Sequence, residues 1–161
     1  MKNPDLILLS DYKPSEYLEQ IHQIFVSEVA NGGLSFLDLP IMCPYHPSHD
    51  NKHFSFWHSM SEKKETSKEE DRILDFRRCE RVKWISYVIK NANDKEKVWC
   101  WENERKTKRG LSRHIVLYLY QEQYIVILRK KLKRLELVTA YIRKDHNGMI
   151  EEKKKCNDPR N

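Results

Sequence analysis

Five side chains in three separate stretches are suited to chemistry at a phosphate: His58 at the end of HFSFWH, Arg78 and Arg81 in RRCER, and Thr139 and Tyr141 in LVTAY. An imidazole can take or give a proton near neutral pH. A guanidinium grips a phosphate through two oxygens at once. On a helix from Asp71 to Ala92 that advances about 100° per residue, Leu74, Ile85, Val88, Ile89 and Ala92 share one side, and Arg78 and Arg81 fall there too. An unpaired buried charge costs several kcal/mol, so each arginine needs an acceptor. That acceptor is an internal carboxylate such as Glu80, Glu102 or Glu136, or it is a substrate phosphate.

Alternation along LELVTAYI puts Leu135, Leu137, Thr139 and Tyr141 on one face and Glu136, Val138, Ala140 and Ile142 on the other. If the helix packs on the first face, the two hydroxyls come close to both arginines. Ordinary β-propensity also accounts for Thr and Tyr in a strand. His58 closes the expected strand 53–58, where neighbouring aromatic rings would fix its position.

CPYHPSHDNKHFSFWH brings Cys43, His46, His49, His53 and His58 together in sequence. Its C-x2-H-x2-H spacing is tighter than that of zinc fingers and has no second pair. The expectation is therefore no metal and no cofactor, with a zinc-stabilised interaction domain as an alternative. His22 and His114 lie in amphipathic elements and read as structural. The four cysteines are far apart without a CxxC pair, a pattern that fits reduced thiols.

Two basic turns offer salt-dependent phosphate contacts: ERKTKRGLSR with Lys108, Arg109 and Arg113, and RKKLKR with Arg129, Lys130 and Lys131. Basic turns are equally common as solvated caps of a meander. Trp84, three residues after Arg81, is either a packing residue or a platform for a stacked base.

The elements that must position these groups follow from periodicity. SEYLEQIHQIFVSEVA is an amphipathic helix stopped by NGG, and 34–58 reads as loop with short extended pieces. SEKKETSKEED (61–71) reads as a mobile polar loop or a frayed helix start, followed by the long helix to Ala92. KVWCWEN, HIVLYLYQ, YIVILRK and LELVTAYI are strands joined by connections short enough for hairpins. The predicted fold class is α+β, N-terminal helices followed by a four-stranded antiparallel meander, in one domain over 1–150 with a solvated tail at 151–161.

With 30 Lys and Arg against 24 Asp and Glu in 161 residues, the net charge of +6 favours polyanionic partners. The N-terminus lacks the apolar core of a secretory signal, and no stretch approaches the ~20 apolar residues of a membrane span, so no membrane partner and a cytoplasmic location are expected. Glycine-rich phosphate loops of nucleotide cofactor folds are absent.

Taken together, FWH, the arginines and tryptophan of DFRRCERVKW, and the final LVTAY resemble the barnase, EndoU, colicin and RelE-like (BECR fold) nuclease group of phage and bacteria over roughly residues 53 to 142. The resemblance implies helices followed by an antiparallel sheet, and metal-independent RNA cleavage on the sheet's concave face. It implies His58 as acid/base, Arg78 and Arg81 as phosphate clamps, and Thr139 and Tyr141 as hydroxyl donors. An inhibitor, antitoxin or immunity protein would be the partner beside RNA. A catalytically inactive RNA- or ribosome-binding module of the same shape is the alternative.

Overall fold

The computed structural model describes residues 2–63 and 72–161. Most of the predicted loop 61–71 lies outside the described residues. Helix α1 (Pro14–Phe25) starts with proline in its first turn and buries Tyr17, Ile21 and Phe25. A π-helical turn, Val26–Ala30, follows and carries Val29 into the same core. Four-residue spacing of the apolar positions is what a widened turn preserves. Gly33, at φ +64, then reverses the chain.

The segment 34–42 forms a hairpin, β1 (Ser35–Phe36) and β2 (Leu39–Met42), closed by Leu37 and Asp38 at φ 54 and 60. Positive φ at both central residues gives the turn the twist that a tight hairpin requires. The expected strand over 53–58 is instead helix α2 (Phe54–Met60). Its alternation misleads because Phe56 and Met60 are also four apart, as are Ser55 and Ser59, and all four are buried. Small serines let this short helix approach its neighbours closely.

Ser61–Glu62 (β3) and Ile73–Leu74 (β4) form a two-residue ladder. The predicted long helix is broken in two: α3 (Phe76–Glu80), capped by the Asp75 carboxylate, and α4 (Val82–Lys90). Arg81 sits at the break with φ −103 and ψ 22. A single helical wheel across 71–92 therefore does not apply.

The four predicted strands are present as β5 (Val98–Thr107), β6 (Gly110–Leu119), β7 (Tyr124–Lys130) and β8 (Leu135–Ile142). They are antiparallel neighbours, and β2 adds to β8 in parallel to give a six-stranded mixed sheet of order β1-β2-β8-β7-β6-β5. The four-stranded sheet of the prediction is thus enlarged by a hairpin from the segment read as loop. One sheet face packs under α1 and α4 through Ile21, Phe25, Ile85, Val88, Leu117, Val126 and Leu137. The other face carries Trp101, Val116, Tyr118, Ile125 and Ile127, covered by Met149 of α5 (His146–Lys155).

The predicted solvated tail is also corrected. Residues 146–155 are helical, Glu102 donates its backbone N–H to Asn157, and Arg160 donates to the carbonyls of Ala92 and Val98, both at 2.8 Å. The Arg160 side chain is 5% exposed and is paired with Asp158.

Candidate functional site

The last strand departs from simple alternation. Leu128 pairs with Leu137 and Ile127 with Thr139, leaving Val138 as the extra residue of a β-bulge. The pleat reverses there. Leu135 and Leu137 share the helix-covered face with Ala140 and Ile142, whereas Thr139 and Tyr141 face the opposite side with their partners Ile127 and Ile125. Sequence alternation had grouped Thr139 and Tyr141 with the two leucines; the bulge separates them.

The ladder between β2 and β8 covers only Leu135 and Glu136, so the outer edge of β8 beyond them is met by helices instead. Thr139 Oγ1 donates to the carbonyl of His58 at 2.7 Å. Arg78 Nη1 donates to the carbonyls of His58 at 3.3 Å and Ser61 at 2.9 Å. Arg78 thereby caps the last turn of α2, whose terminal carbonyls lack helical partners. Its Nη2 donates to Glu62 Oε1 at 3.2 Å, its Nε lies 3.6 Å from Asp75, and its Cζ is 5.1 Å from the centroid of the Tyr141 ring. Arg72 adds a second clip, donating to Ser61 Oγ at 2.8 Å and to the Ser61 carbonyl at 2.9 Å.

These groups border an open groove of about 420 Å³ lined by His58, Glu62, Lys63, Arg72, Arg78, Val138, Thr139 and Tyr141. The His58 ring lies tilted by 39° against Phe54 with centroids 4.0 Å apart, which limits its rotation. Among the described residues Lys63, Arg72 and Arg78 line it beside Glu62, and positive charge along a groove attracts anions. Arg72 and Lys63 were missed because they flank a polar run that carries no periodic signal.

Four of the five expected catalytic residues thus meet in one groove, and Arg81 does not. Arg81 donates to the Arg77 carbonyl at 3.0 Å, pairs with Glu80 at 3.5 Å and lies 5.2 Å from the Trp84 ring centroid. The internal carboxylate foreseen for it is therefore its neighbour in sequence. Trp84 is 7% exposed, donates to the Pro4 carbonyl at 3.0 Å and meets Tyr124 edge-on. It is a core residue, not an open platform for a base.

The basic turns are distributed over both sides of the sheet. Lys108 and Arg109 form the exposed turn between β5 and β6, and Lys131 is exposed at the end of β7. Arg113 and Lys130 project from the helix-covered side of their strands and share Glu102, at 3.9 and 3.5 Å. Arg129 projects from the groove's side, directly opposite His114 and Glu136 in register.

The histidine-rich segment does structural work. His53 packs between Phe25 and Tyr45, with His22 beside it, and burial lowers the pKa of both histidines. Burial pushes the Cys43, Cys79 and Cys100 thiols up to about 12, which disfavours the thiolate that zinc or nucleophilic chemistry needs. Among the described residues no three His, Cys, Asp or Glu side chains are grouped so as to hold a metal ion. Among them, too, no helix is long and apolar enough to cross a membrane.

Comparison with protein-family models, with curated proteins and with solved structures gives no match.

Proposed function

We propose that the protein is a metal-independent ribonuclease of the BECR type that engages and cleaves RNA in the groove between α2, α3 and β8. The observation that carries this reading is the meeting of His58, Arg78 and Tyr141 on one basic surface, from elements up to about 80 residues apart. In such a reaction the ribose 2′-hydroxyl loses a proton and attacks the adjacent phosphorus. A P–O2′ bond forms, the P–O5′ bond breaks and the leaving 5′-oxygen gains a proton. His58 is suited to the proton transfer. Arg78 is suited to the phosphorane charge, with its Nη2 now held by Glu62, a 63% exposed side chain that a phosphate can displace.

The roles differ from residue to residue. Thr139 already gives its hydroxyl to the His58 carbonyl, so it positions the histidine's helix and does not donate to substrate. Tyr141, turned toward Arg78, is the hydroxyl left for the phosphate. A second reading, RNA binding without cleavage, is favoured by Arg78 itself, two of whose donor contacts are spent on backbone carbonyls.

Incubation of the purified protein with total RNA in EDTA separates the readings. Cleavage that persists in EDTA and is lost in His58→Gln supports the ribonuclease. Salt-dependent binding without cleavage supports the binding module, and neither binding nor cleavage removes both.

A further inference from the structure

Farther along the groove's sheet face lies a second polar patch. Register aligns Asn103, His114, Arg129 and Glu136 in one row across β5 to β8, and Arg105 faces Ser112 one pleat beyond. His114 is 7% exposed. Both of its ring nitrogens are shielded and without a hydrogen-bond partner, as are Asn103 Oδ1 and Ser112 Oγ. Unmet polar atoms of this kind are costly to bury.

Burial first, then the charges of Arg105 and Arg129, lower the His114 pKa to about 4. At neutral pH the ring offers one N–H and one lone pair. The two guanidiniums only donate, and neither Asn103 Oδ1 nor Ser112 Oγ is bonded to the ring, so the ring N–H lacks an acceptor. Glu136, at the end of the row, is held by Arg134 at 2.9 Å and lies 4.0 Å from Arg129. Register sets Arg129 beside the His114 ring with Arg105 close by, and an anionic oxygen held by the guanidiniums would also give the imidazole N–H an acceptor. Asn103 Oδ1, Ser112 Oγ and the ring lone pair ask for the opposite, a ligand that also donates. A bare phosphate offers few donors, whereas a nucleotide joins a phosphate to a base with amino groups.

We propose that His114, Arg105 and Arg129, with Asn103 and Ser112, form a nucleotide-binding subsite for single-stranded RNA. The guanidiniums take a phosphodiester, and the neutral groups take the donors of the adjoining base. This rests on the RNA reading above and extends it across the sheet. Glu136 and Thr139 are three residues apart on β8, about 10 Å, so one strand crossing the face reaches both subsite and groove.

The test uses the full chain and a fluorescent single-stranded 2′-O-methyl RNA, which cannot undergo 2′-hydroxyl attack, titrated at several salt concentrations. Arg105→Gln and Arg129→Gln should each weaken binding about tenfold and reduce the salt slope by about one. His114→Leu, which places an apolar side chain in the same buried position, should also weaken binding about tenfold while thermal unfolding shows the protein folded. Binding by the unaltered protein with all three variants equally tight overturns the subsite and leaves the groove reading standing. Inorganic phosphate binding as tightly as the oligonucleotide overturns the nucleotide class. No RNA binding by the unaltered protein overturns both readings.

Discussion

The Thr139 hydroxyl and the His58 carbonyl are joined by a 2.7 Å hydrogen bond that ties the free edge of β8 to the last turn of α2. The catalytic histidine of the proposal is therefore positioned through its main chain. Thr139→Val keeps the shape and removes the donor, and should cost about 1–2 kcal/mol. Thr139→Ser should retain most of that stability. Urea unfolding of the two variants decides between them, and cleavage rates should follow the same order.

Arg78 spreads its guanidinium over the carbonyls of His58 and Ser61 and the Glu62 carboxylate. Lysine retains the charge without the planar fork. Arg78→Lys should lower stability by about 2 kcal/mol in denaturant unfolding, because one of the two carbonyls loses its donor.

Glu62 competes with any phosphate for Arg78 Nη2, and it is mostly exposed. Glu62→Gln should tighten binding of a non-cleavable RNA several-fold while changing stability little. Unchanged or weaker binding in a fluorescence titration would show that Arg78 does not meet the phosphate.

Arg160 locks the C-terminal segment onto the carbonyls of Ala92 and Val98. Arg160→Ala should destabilise by about 2–4 kcal/mol, since two buried carbonyls lose charged donors. Loosening of the C-terminal segment should be visible as increased hydrogen exchange at Glu102, whose backbone N–H donates to the Asn157 carbonyl.

The pH dependence follows from buried histidines. His114 has a folded pKa of about 4 against an ordinary 6.5, so the unfolded chain takes up a proton that the native state refuses. Its contribution to stability is complete above about pH 6.5 and is lost as the pH falls toward 4. His22 and His53, also lowered by burial, act in the same direction. Thermal unfolding from pH 7 to pH 4 should show a falling midpoint, with a shallower fall in His114→Leu.

How far this arrangement could be read from the chain differs by element. Strands β5 to β8 were legible because long apolar alternation and short turns leave little choice of partner. Helix α2 was not, since seven residues satisfy both a period of two and a spacing of four. The bulge at Val138 adds one residue without any mark in composition, yet it decides which face Thr139 and Tyr141 occupy. The break at Arg81 lacks glycine or proline, so neither arginine's direction followed from the wheel. His114 read as structural because its unmet nitrogens become visible only when Arg105 and Arg129 are brought beside it.

The most direct measurement of the central claim is the chemistry of the cut ends. RNA incubated with the protein in EDTA should yield 2′,3′-cyclic phosphate and 5′-hydroxyl termini, an RNA blocked as 2′-O-methyl should remain whole, and His58→Gln should lose at least about a hundredfold in rate. Intact RNA with the unaltered protein, or cleavage unchanged in His58→Gln, would contradict it.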